Sequence, residues 1–174
     1  MTPKEPEVSR RPGGSPYSKI QKRVWIKASP DVVFQALTDS RDLVHWFCDR
    51  ASCDAREGGE LVAHWRMRRS TPRGRAVFTR IVPGAVVELL WVDDGGGVAK
   101  SEHTLRYQIR SRTGLTEVEM LDRDDSTSDE ETYACLDQGW NSVLLELKDY
   151  CERKERSRKG RSGDRSPFAA PQVD

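Results

Sequence analysis

No stretch of this sequence is apolar for the ~20 consecutive residues that a membrane-spanning helix needs, so no membrane insertion is expected. Residues 1–16, MTPKEPEVSRRPGGSP, lack the apolar core of a secretory signal, and the expectation is a cytoplasmic protein. An excess of one charge is also missing. The 29 Lys and Arg stand against 28 Asp and Glu, a net of +1, which argues against a dedicated nucleic-acid binder. Four cysteines are present, Cys48, Cys53, Cys135 and Cys151, with no C-x-x-C pair and no closely placed His. Reduced structural thiols are therefore expected rather than a zinc site. At ~100° per residue, Cys135 and Cys151 on one helix point to nearly opposite sides and cannot share a metal. The nucleophile elbow G-x-S-x-G, the zinc motif H-E-x-x-H and the P-loop are absent. The run Gly95 to Gly97 reads as a hairpin loop, and the acidic run Asp122 to Glu131 lacks EF-hand spacing and reads as a solvated loop entering a helix. No cofactor, no metal and no catalytic constellation follow from these patterns.

What is present is one domain with charged, apolar-poor ends. Residues 1–17 and 154–174 have almost nothing to bury and are expected to be disordered, the second as a basic tail, leaving 18–153 as the folded unit. Ile20 to Ala28 reads as a strand. In SPDVVFQALTDSRDLVHWF, Ser29 is an N-cap, Pro30 suits the first helical position, and Asp31 meets the positive end of the helix dipole. Val33, Phe34 and Leu37 share an apolar face before Thr38, Asp39 and Ser40 interrupt it. A second short helix follows, carrying Leu43, Trp46 and Phe47.

Five segments then alternate apolar and polar residues with a period of two: Gly59–Met67, Arg75–Val82, Ala85–Val92, Glu102–Arg110 and Leu115–Leu121. They read as half-buried antiparallel strands separated by turn formers. A long helix is expected from Asp129 to Arg153, acidic at its start and basic at its end, with Tyr133, Leu136, Trp140, Val143, Leu144, Leu147 and Cys151 on one face. Gly139 marks a place for a kink or a close neighbour. The fold class is α+β: a curved antiparallel sheet wrapped around a long C-terminal helix, with two short helices after the first strand plugging one end.

Four motifs carry a resemblance: SPDVVFQALTDSRDLVHWF, GGELVAHW, RIVPGAVVELLW and GWNSVLLELKDY, together spanning about Ile20 to Arg153. They resemble the START/SRPBCC superfamily, and within it the bacterial branch related to the C-terminal domain of the activator of the ninety-kilodalton heat-shock protein ATPase. The resemblance implies the helix-grip fold of the START and birch-pollen-allergen-like proteins. It implies a cavity between sheet and long helix for a small hydrophobic molecule, or else a chaperone or other protein partner with a role in stress response. A cyclase-like enzyme is a third class. Two departures stand out: the loop from Arg68 to Arg73 is short, and Asp122 stands where many relatives carry a His near the pocket rim.

The candidate ligand-binding residues are Trp46, Trp65, Leu89, Trp91, Tyr107, Met120, Asp122, Trp140, Leu144 and Leu147. Trp140, Leu144 and Leu147 are expected to face the strand residues, and the tryptophans to line an aromatic cavity. Alternation places Asp122 at the inner end of the last strand, where desolvation without a partner would raise its pKa and suit it to a ligand's polar end. Tyr107 is its expected hydroxyl partner, with His103 a weaker one. His45, His64 and His103 have no acid or second ligand at diagnostic spacing and read as structural or surface residues.

Overall fold

The structure, a computed structural model, describes residues 15–92, 102–127 and 129–163. The hairpin loop expected at Asp93 to Gly97 lies outside the described residues. Strand β1 spans Lys19–Ile26, helix α1 Pro30–Thr38 and the single-turn helix α2 Ser40–Leu43. Strands β2 (Arg50–Cys53), β3 (Glu60–His64), β4 (Arg73–Val82), β5 (Val86–Val92), β6 (His103–Arg112) and β7 (Leu115–Arg123) follow, and helix α3 runs Glu130–Gly163. The strands form one curved antiparallel sheet in the order β1-β7-β6-β5-β4-β3-β2. This is the expected fold class, a helix-grip arrangement, with one addition. The short strand Arg50–Cys53 is too polar for its alternation to stand out from the loop around it, and it forms by pairing with β3 at the far edge.

The order explains the two short helices. β1 pairs with β7 at one edge and β2 lies at the other, so the chain between them must cross the whole sheet. Helices α1 and α2 make that crossing. Ser29 caps α1, its hydroxyl oxygen accepting from the Val32 N–H, and Val32, Val33, Ala36 and Leu37 are buried beneath it. Asp39 caps α2 through the Arg41 N–H, and the Arg41 guanidinium, with this backbone bond second, holds its carboxyl down to about 2. α2 ends at Leu43, so Trp46 and Phe47 lie in the turn beyond it rather than on the expected second helix. Both rings still turn inward.

Helix α3 packs against β1 and α1. Leu144, Leu147 and Cys151 are buried on the expected face and Cys135 is exposed, but Leu136, expected on the same face, is 38% exposed. Gly139 neither ends the helix nor touches a neighbour, since a Cβ there would meet nothing within 4 Å.

The long helix does not stop at Arg153. It continues to Gly163, past the helix end expected at Arg153, and its first added turn is fastened to the domain. Glu155 is buried and accepts from the Ser29 hydroxyl at 3.4 Å. Lys154 pairs with the buried carboxylate of Asp42, which also accepts from the Tyr150 hydroxyl at 2.8 Å. One turn earlier, Glu152 accepts from the Lys27 N–H at 2.9 Å and Lys148 donates to the Trp25 carbonyl at 2.6 Å, satisfying backbone groups on the open edge of β1. At the other end Tyr17, placed by the sequence in a disordered segment, packs its ring 5.6 Å from that of Tyr133.

Candidate functional site

The pleat of each strand decides which side chains enter the concave face. On β5 these are Leu89 and Trp91, on β6 Leu105 and Tyr107, and on β7 Val118, Met120 and Asp122, all buried. From the crossing segment, Trp46 turns back so that its Nε1 donates to the Ala36 carbonyl at 2.9 Å. Phe47 packs against Trp65 and Trp91 with ring centroids 5.4 and 6.1 Å apart, and Trp65 Nε1 donates to the Phe47 carbonyl at 2.6 Å. The aromatic cluster is thus tied by indole hydrogen bonds to backbone that packing alone would leave free to shift.

Leu37, Leu43, Trp46, Phe47, Leu61, Leu89, Trp91, Leu105 and Tyr107 enclose a cavity of about 20 Å³. That is room for about one water molecule, not for a ligand. Four of the ten candidate residues, Trp46, Leu89, Trp91 and Tyr107, meet there. Trp65 reinforces the aromatic cluster from behind and lines an outer crevice instead. Met120 and Leu147 are fully buried in the core, and Leu144 has one side on a groove between β1 and α3. Leu37, Leu43, Phe47, Leu61 and Leu105 complete the lining. The sequence had placed the first three on inward apolar faces or helices without distinguishing them from ordinary core.

Asp122 and Trp140 form a separate, polar element. Trp140 Nε1 donates to Asp122 Oδ2 at 2.8 Å, whereas Asp122 Oδ1 is buried and finds no partner among the described residues. Asp122 is 6% exposed. Burial pushes its carboxyl above the usual range, opposed by the nearby His103 and the Trp140 bond and reinforced by Asp124. Tyr107, fully enclosed, has its hydroxyl pushed well above the ordinary phenol value by burial and then by the charge of Asp122. His103 also stacks on Trp91, centroids 6.3 Å apart. Asp122, Tyr107 and His103 therefore share one neighbourhood, while among the described residues the Asp122 carboxylate has its hydrogen bond from Trp140 and not from Tyr107.

The acidic run after Asp122 works as turn and cap. Asp124 accepts from Ser126, and Asp129 accepts from the Thr132 N–H at the start of α3. Among the described residues, no group of three or more His, Cys, Asp or Glu is placed to hold a metal. No described helix is long and apolar enough to cross a membrane.

The same arrangement occurs in solved structures. The Aha1 dimer from Colwellia psychrerythraea superposes with a TM-score of 0.64 at 22% identity, covering 77% of this chain and 96% of that one. CalU16 from Micromonospora echinospora gives a TM-score of 0.59 at 20% identity over 84% and 83% of the two chains. DynU16, a putative protein in the dynemicin biosynthetic locus, gives 0.66 at 19% identity, with 80% of this chain covering 49% of that one. At these identities the likeness is one of fold. No curated protein matches the chain in sequence. The family model described as activator of Hsp90 ATPase homolog 1-like protein matches residues 27–152, from the end of β1 into the last third of α3, and the chain belongs to that family.

Proposed function

We propose that the domain binds a small, mostly apolar molecule on the concave side of its sheet, with one hydrogen-bond donor of the ligand directed at Asp122. The observation that carries this reading is the unpaired Oδ1 of a carboxylate only 6% exposed, beside the indole of Trp140 and the aromatic cluster of Trp91 and Tyr107. Leaving a buried acceptor unmade costs about 1–3 kcal/mol, and more when it is charged. A ligand donor recovers that cost. A cavity of about 20 Å³ means that the ligand enters by displacing packed groups. The first half of α3 offers the least resistance, because Leu136 and its neighbours are poorly covered. The occurrence of the fold in a protein of the dynemicin locus makes polyketides a sensible class to test beside fatty acids and flavonoids.

Titration of such a panel against intrinsic Trp fluorescence tests the reading, repeated with Asp122→Asn and Trp140→Phe. Saturable quenching that weakens at least tenfold in Asp122→Asn, without loss of stability, is the expected result. A panel without any saturable change sinks the proposal.

The small cavity favours one other reading, a protein-interaction module that regulates a chaperone ATPase, since a filled core leaves the outer surface as the working part. Its test is the steady-state ATPase rate of an Hsp90-type chaperone with and without this protein. An unchanged rate at saturating protein removes it.

A further inference from the structure

One concentration of like charge on the described surface lies away from the concave face. From Leu61 to Val87 the chain contains no Asp or Glu but six arginines: Arg66, Arg68, Arg69, Arg73, Arg75 and Arg80. In a chain of net charge +1 this is a local accumulation that composition does not require. It centres on the β3–β4 hairpin, which is firmly built. Trp65 N–H donates to the Pro72 carbonyl at 3.0 Å, Met67 N–H donates to the Ser70 carbonyl at 2.9 Å, and Asp49 Oδ2 accepts from the Arg66 N–H.

Beside this hairpin lies a crevice of about 280 Å³ lined by Asp49, Arg50, His64, Trp65, Arg66 and Thr71. Arg50 and His64 are cross-strand partners in the β2–β3 ladder, so the ladder holds them side by side. The salt bridges among the described residues engage Arg23, Arg41, Arg56 and Arg75 in this half of the chain, and none of them involves the exposed guanidiniums of Arg50 and Arg66.

We propose that this crevice binds a phosphoryl dianion, free or carried on a small ester. Two planar guanidinium forks match the oxygens of such a group and its double charge, whereas a single carboxylate would use one fork. Thr71 and His64 add a hydroxyl and a ring nitrogen at the wall. Half-buried Trp65 gives a flat apolar surface for the carbon side of an ester. The one carboxylate lining the crevice, Asp49, already accepts the Arg66 N–H on Oδ2.

The experiment titrates the full chain with inorganic phosphate, phenyl phosphate and, as control, benzoate, following the Trp65 indole and arginine side-chain resonances by NMR. Saturable shifts at Trp65 are expected with both phosphates and not with benzoate, a tighter phenyl phosphate identifying the ester as the source and equal affinities the free ion. Charge-assisted hydrogen bonds of about 1.5–3 kcal/mol correspond to a tenfold or larger loss in Arg50→Gln and in Arg66→Gln. Arg68→Gln and Arg69→Gln, outside the crevice, should change affinity less than about threefold, as diffuse screened charges do. All four positions are exposed, so the variants should fold, and far-UV circular dichroism checks this. Non-saturable shifts, equal losses in all four variants, or binding of benzoate as tight as that of phenyl phosphate would overturn the assignment.

Discussion

The buried carboxylate of Asp42 should be one of the strongest polar fasteners in this domain, and Asp42→Ala measures it. Asp42 lies on α2 and receives the Tyr150 hydroxyl on Oδ1 and the Lys154 ammonium on Oδ2, both from α3. A hydrogen bond to a charged acceptor contributes about 1.5–3 kcal/mol. The lysine is about a third exposed, so solvent screening limits its ion pair to roughly 1 kcal/mol or less. Some of this returns in the variant, because the half-buried Tyr150 and Lys154 can both turn to water. The expected net loss is about 2–3 kcal/mol by urea denaturation, or roughly 5–10 °C in Tm for a domain of this size. A double-mutant cycle with Lys154→Met then isolates the pair, with an expected coupling of about 0.5–1 kcal/mol. A loss below about 0.5 kcal/mol for Asp42→Ala, or no measurable coupling, would refute the claim that the first turn of α3 beyond Arg153 belongs to the fold.

Three further outcomes are expected. The folded-state carboxyl of Asp122 sits above its unfolded value, so its contribution is most favourable below the usual carboxylate range and is lost as pH rises through the raised value; Asp122→Asn should therefore gain stability relative to wild type as pH goes from 4 to 8, read from parallel urea melts, and a flat difference removes the idea of a desolvated charge. Gly74→Ala should destabilise by about 1–3 kcal/mol through overpacking, because a Cβ there would come 2.7 Å from the Trp91 ring and 3.0 Å from that of Trp65; chemical denaturation with Trp emission reports both effects. Thiol titration at pH 8 should label exposed Cys135 rapidly, while Cys53 and Cys151, pushed by burial to about 11 and about 12, stay unreactive until the protein unfolds.

The sequence by itself determined most of what depends on local periodicity. Alternation of apolar residues marked five of the strands, capping residues marked the start of α1, and the acidic entry and apolar stripe marked α3. The inward residues of β5, β6 and β7 follow from the pleat, and alternation alone puts Leu89, Trp91, Tyr107, Met120 and Asp122 on their buried side. The tertiary structure alone decided what depends on partners distant in the chain. β2 exists because β3 is beside it, not because Arg50–Cys53 favours a strand.

The end of α3 was misread for the same reason. A run of Arg, Lys, Glu and Ser looks like a solvated tail, and only the meeting of Glu155 with Ser29 and of Lys154 with Asp42, each more than a hundred residues apart, makes its first turn part of the domain. The size of the cavity is likewise a difference between neighbouring packed volumes. Sequence can name the side chains that surround the space, but only their joint packing leaves about 20 Å³ between them.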